Sequence, residues 1–132
     1  MIDEKPDAVV SAEECYRRED YVEAVRWYRV AADQGHFRSQ YELGSMYADG
    51  RGVQQSNVNA YMWLKLSNRQ VLSPQPRRPY GRLFDESGEI MDPLVFSKVI
   101  EAHDWIVAEL TPDQRVEGQR LALEWDAAHP RD

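Results

Sequence analysis

Cys15 is the only cysteine in the 132 residues, so one copy of the chain forms no disulfide and builds no thiolate metal cluster. Long apolar runs are missing as well, and none approaches the length of a membrane span. The opening MIDEKPDAVVSAEE has neither the basic start nor the apolar centre of a signal peptide. These absences lead to the expectation of a cytoplasmic protein without a membrane partner. Basic charge is scarce too: 16 Lys and Arg stand against 23 Asp and Glu, and the net charge of -7 repels phosphate backbones. No nucleic-acid partner is expected. Arg77, Arg78 and Arg82 form the one basic cluster, and with Asp85 and Glu86 close behind it reads as a solvated loop.

Catalytic and cofactor motifs are equally sparse. His36, His103 and His129 lie far from one another and from Cys15, with no HExxH-like spacing, so no metal site is expected. His103 and Asp104 are neighbours, and neighbours on a helix do not face each other; His103 reads as a partly buried core residue. In LGSMYADGRGV, Gly50 and Gly52 are followed by Gln55 where a dinucleotide fingerprint needs its third glycine, and no GK[ST] closes a phosphate loop. No nucleophile-elbow pattern occurs. No catalytic residue and no cofactor are therefore assigned.

Helical periodicity fills the chain instead. Residues 8–18 place Val9, Ala12 and Tyr16 at helical spacing, and Asp20 with Tyr21 break into a second helix. There Ala24, Trp27, Tyr28 and Ala31 make an apolar stripe, and Gly35 stands where a helix ends. A third helix, about 37–49, carries Tyr41, Gly44, Tyr47 and Ala48 on one face. A fourth, about 56–68, has Ser56 as its cap and Ala60, Trp63, Leu64 and Ser67 along its seam. The three glycines then read as punctuation: Gly44 allows a close helix crossing, Gly50 ends a helix, Gly52 permits the reversal, and Val53 plugs the turn.

The second and fourth helices superpose without a gap, Ala24 on Ala60 and Trp27 on Trp63, at an offset of 36 residues. Two helices per unit with a period in the thirties is the pattern of an α-solenoid. With LGxxY, GxGV, Ala and Trp at these distances in residues 39–67, the sequence resembles the Sel-one-like repeat family, a branch of the tetratricopeptide superfamily. EAVRWYRVAADQGHF supplies the second half of a preceding unit. Ser56 replaces the family's usual Asp, the first unit has the short Glu19-Asp20-Tyr21 turn, and the paired cysteines of the disulfide-bearing members are absent.

The expected architecture is all-α: a right-handed α-solenoid of antiparallel helix pairs, about six helices, in one domain. A first repeat would cover 8–35, a second 36–68, an irregular insertion 69–92, and a capping helix pair 93–128. Pro74, Pro76, Pro79, Gly81 and Gly88 exclude a continuous helix through the insertion, and RLF and EIM about Asp85-Glu-Ser-Gly88 admit a short hairpin. The insertion either decorates the solenoid or carries function. In the fifth helix Phe96, Val99, Ile100, His103, Ile106, Val107 and Leu110 share a face. In the sixth, Thr111, Pro112 and Gln114 form a capping box, and Gly118, Leu121, Ala122 and Trp125 a seam.

The resemblance implies that the first helix of each unit lines a concave surface, which puts Glu13, Tyr16, Arg17, Arg38, Tyr41, Glu42 and Ser45 towards a groove. Tyr and Arg dominate interface hot spots. Trp105 falls opposite the Phe96, Val99 and Ile106 face, so it is covered by the insertion or receives a partner. The implied function is a non-catalytic scaffold or adaptor binding a protein or peptide. Two other readings remain: a self-assembling homodimer, and a small hydrolase using Glu13, Glu42 or Asp49, although these acids, with Glu14, read most simply as solvated charges. Coupled carboxylates in a deep pocket would favour the hydrolase, and an open groove with exposed aromatics the binding module.

Overall fold

The computed structural model describes residues 7–72 and 93–130. They form six helices and no strand among the described residues: α1 (Asp7–Arg17), α2 (Tyr21–Asp33), α3 (Phe37–Asp49), α4 (Asn57–Leu72), α5 (Pro93–Glu109) and α6 (Pro112–Ala128). Each of the first four packs on the next, as in a helical-repeat solenoid, while α5 and α6 both lie against α4. The insertion's basic cluster, prolines and suggested hairpin lie outside the described residues.

Local chemistry explains the boundaries. At the end of α1, Glu19 N–H bonds to Tyr16 C=O (3.0 Å) and Asp20 N–H to Cys15 C=O (2.8 Å). The end of α2 repeats this wrap, Gly35 to Ala32 (3.0 Å) and His36 to Ala31 (3.2 Å). The residue that turns the chain has φ 62° at Glu19 and 91° at Gly35, so the same motif is made once by a strained side chain and once by glycine. Ser56 caps α4, its Oγ accepting from Asn59 N–H at 3.1 Å. Thr111 and Gln114 form the reciprocal capping box of α6 (3.1 and 3.0 Å).

Small residues occur where helices meet. A Cβ on Gly44 would come within 2.8 Å of Leu64 Cγ, and one on Gly118 within 2.4 Å of the Tyr61 ring. Around these contacts Leu43, Met46, Leu64, Leu66, Val99 and Ile106 are fully buried, with Ala12, Ala24 and Ala60 between them. Buried polar groups tie α4 to the α2–α3 turn. Gln70 Nε2 donates to Gly35 C=O (3.1 Å) and Gln40 Oε1 (2.9 Å), Gln40 Nε2 to Ala32 C=O (3.1 Å), and Ser67 Oγ to Phe37 C=O (2.9 Å).

The far end of α6 reaches back across the array. Trp125 packs edge-on against Trp63 with centroids 6.3 Å apart, and its Nε1–H donates to Asp33 on α2 at 3.1 Å. Arg69 holds Asp126 through two hydrogen bonds of 2.9 and 2.8 Å.

Several expectations are corrected. Trp27 is not part of the buried stripe of α2: it is 39% exposed, and Val25 and Ala32 join Ala24, Tyr28 and Ala31 inside instead. Ile100 is 37% exposed, at the edge of a face whose centre is Val99 and Ile106. The side chain of Phe96 lies outside the described residues. Helix α4 continues to Leu72 instead of stopping at 68, because Arg69 and Gln70 find partners on α6 and at the α2–α3 turn. Helices α5 and α6 each pack on α4, and Arg115 on α6 also donates to Val107 C=O on α5 at 3.2 Å. His103 Nδ1 lies 3.5 Å from Asp104 Oδ1, although the two are neighbours on the helix. Half-burial pushes the His103 imidazole below its ordinary value, against the opposing pull of Asp104.

Candidate functional site

Helices α1 and α3 each present one polar face, and these faces enclose an open depression of ≈ 320 Å³. Its lining is Glu13, Tyr16 and Arg17 from α1, Arg38 and Glu42 from α3, and Tyr28 from α2. The i, i+3, i+4 spacing of the α1 trio and the i, i+4 spacing of the α3 pair put each set on one side of its helix. Five of the residues assigned to the groove by sequence are thus brought together. Tyr41, Ser45 and Trp105 are not part of this lining.

Burial divides the depression. Glu13 and Glu42 are half-buried, whereas Arg17 and Arg38 are exposed. Glu42 is not the solvated surface charge that its sequence context implied. Its side chain is 26% exposed, and Arg38 Nε stands 4.0 Å from its Oε2, beyond hydrogen-bond range. Burial therefore pushes the Glu42 carboxyl above its ordinary value despite the nearby positive charges of Arg38 and Lys98, with Glu13 adding a smaller push in the same direction. The Tyr28 phenol is raised by burial first, then by Glu42 and Glu13; Arg38 opposes them less strongly. Tyr41, hydrogen-bonded to Ser45, is raised by burial and by Glu42.

Arg51, from the glycine turn, holds the rim aromatic in place. Its Nη1 donates to Tyr16 Oη at 2.6 Å, and its guanidinium lies 5.4 Å from the Tyr21 ring, which meets Tyr16 edge-on at 5.1 Å. Glycine is required for this approach: Gly52 has φ 74°, and a Cβ there would sit 2.4 Å from Tyr21 C=O. The turn that resembled a phosphate loop in sequence thus positions a side chain of the depression. Sequence reasoning missed Arg51, because no spacing rule links it to a residue 35 positions earlier. It also missed Tyr28, which was assigned to the core alone, and Lys98.

Trp105 is 54% exposed. It follows Lys98 by seven residues, two helical turns, so it shares the face of α5 whose lysine acts on Glu42. Asp49, one of the acids considered for hydrolysis, is exposed at the end of α3 and does not line the depression. Glu14 is exposed, 3.7 Å from Arg18. Among the described residues no group of three or more His, Cys, Asp or Glu is placed to hold a metal ion, and no helix is long and apolar enough to cross a membrane.

Comparison with known proteins agrees with this architecture. The family model described as Sel1 repeat matches residues 14–36 and 38–70, which contain five of the six lining residues and end within α4. Sel1 repeats are generally protein-interaction modules. An exopolysaccharide production negative regulator of Rhizobium leguminosarum bv. viciae is 46% identical over 46 residues, which cover 35% of this chain and 17% of that protein. The chain thus matches less than a fifth of that relative's length. No solved structure matches the chain significantly.

Proposed function

We propose, from the premise that residues 14–36 and 38–70 are two Sel1 repeats, that this protein is a non-catalytic interaction module whose α1–α3 face binds a peptide or protein segment. The observation that carries the reading is the convergence of Glu13, Tyr16, Arg17, Arg38 and Glu42 from separate repeats on one open depression. Caps, glycine contacts and the Arg51–Tyr16 hydrogen bond hold that surface in place before a partner arrives, so little ordering free energy is lost on binding. The regulatory role named for the Rhizobium relative fits a chain that acts by binding. Under this reading Trp105 and Tyr41 extend the contact beyond the depression.

Site-specific photo-crosslinking tests it. A benzophenone side chain at Arg17 or Tyr41 should capture a discrete partner in native lysate, and one at Leu123 on the far side of α6 should not. Capture from Leu123 alone, or capture only of a second copy of the chain with a dimer in light scattering, would replace this reading with self-assembly.

A further inference from the structure

The two sides of helix α5 differ sharply. Val99, Ile106 and Leu110 are buried in the core. On the other side Leu94, Lys98, Glu101 and Trp105 follow one another at intervals of four, three and four residues, the spacing that keeps side chains in one line along a helix. All four are exposed, Leu94 at 64% and Trp105 at 54%. A large apolar residue thus stands at each end of the line, with a charge of each sign between them. Among the described residues no ion pair joins Lys98 or Glu101 to another side chain, and no ring contact holds Trp105; the charge of Lys98 is felt at Glu42 on α3.

The line is its own complement when reversed. Leu94 and Trp105 share a midpoint along the helix, between Val99 and Ile100, and Lys98 and Glu101 share the same one. We propose that this face of α5 docks on the same face of a second copy of the chain, antiparallel and about a two-fold axis at that midpoint. Leu94 then covers the copy's Trp105 and Lys98 meets the copy's Glu101, each contact occurring twice, as two-fold symmetry requires. Charge selects this register. A parallel pair would set Lys98 against Lys98, and an antiparallel pair centred on Glu101 would set that carboxylate against itself. The proposal goes beyond the binding role above: the depression, lined from α1, α2 and α3, gives no residue to this contact, and the extension of contact to Trp105 is made with the second copy. One helix against one helix buries less than a standard interface, so the dimer is a weak, concentration-dependent one.

Sedimentation equilibrium of the full chain, from about 10 μM to about 1 mM, tests it. The parent should pass from monomer to dimer within that range. Trp105→Ala should weaken the dimer about thirtyfold, the loss of a central aromatic anchor. Lys98→Glu and Glu101→Lys should each weaken it about tenfold, since each turns both cross-helix attractions into repulsions. An equimolar mixture of these two variants should dimerise again, because an acidic line then faces a basic one, and a chain carrying both substitutions should dimerise like the parent. Thermal melts of the variants, unchanged from the parent, show that the effects are not unfolding. A parent that stays monomeric throughout the range overturns the proposal, whatever else binds at Trp105. So does a dimer that survives both charge reversals, which would lie on another face, and so does a mixture that stays monomeric. Crosslinking of a separate partner at Arg17 should be unchanged in all these variants, so the dimer and the binding face stand or fall independently.

Discussion

Trp27 and Trp63 occupy the same position in consecutive repeats, yet one is 39% exposed and the other 4%. The difference lies in what covers them. Helix α4 has α6 laid along it, so Trp63 meets Trp125, whereas α2 packs on α1 and α3 and meets α6 through Trp125 and Asp33. A repeat position thus fixes the direction in which a side chain points, and the neighbouring helix fixes whether it ends in core or at the surface. The turns show the same contrast. The first repeat turns on Glu19 at φ 62°, while the second uses glycine at Gly50 and Gly52.

The sharpest way to break this comparison is to delete both indoles. Trp63→Ala should destabilise the protein by about 3–5 kcal/mol and Trp27→Ala by under about 1 kcal/mol in urea unfolding. Equal losses would mean that the two sites are equally packed. Next in size, Gly52→Ala should cost about 3 kcal/mol, since the new Cβ meets the Tyr21 carbonyl at 2.4 Å in a left-handed conformation. It should also loosen Arg51 from Tyr16, read as a change in the Tyr16 ring signals. Glu19→Gly should act in the opposite direction, raising stability by about 1 kcal/mol because it relieves the left-handed side chain without touching the wrap around it. A loss of stability there would show that Glu19 makes a contact worth more than its strain.

The smallest effect concerns Glu42 and pH. Its folded-state carboxyl titrates above the ordinary value of 4.5, so between that value and the folded one the folded chain binds the proton more tightly than the unfolded chain. Stability falls as pH rises through this window. Glu42→Gln should therefore be slightly more stable than the parent at neutral pH, and the gain should vanish below the unfolded value. Urea midpoints across acidic and neutral pH give the measurement; a gain that persists at the acid end would trace to packing instead of charge.

Much of the fold was legible in the sequence because its signals are local. The caps at Ser56 and Thr111, the helix-ending glycines and the LGxxY and GxGV spacing each act within a few residues of themselves. What was not legible depends on contacts between distant segments. Periodicity placed Trp27 on an apolar stripe but carried no information about α6, and helix α4 outran its expected end because Arg69 finds Asp126, 57 residues on. The site divided the same way. The residues on α1 and α3 were readable from spacing and resemblance, whereas Tyr28 lines the depression from α2 and Arg51 holds Tyr16 from the glycine turn, both across helix boundaries.

The grip of Trp125 on Asp33, across 92 residues of chain, has a consequence for how the molecule comes apart. A linear array in which each unit touches only the next can fray from an end, one unit at a time. Here the last helix is fastened to the first repeat, so opening the C-terminal end means giving up a fastening at the N-terminal one. The array is fastened as a buckled strap and not laid out as a row of dominoes: the fastening raises the sequence separation of its contacts, which should slow the search for the native state and make the described helices melt as a single cooperative unit.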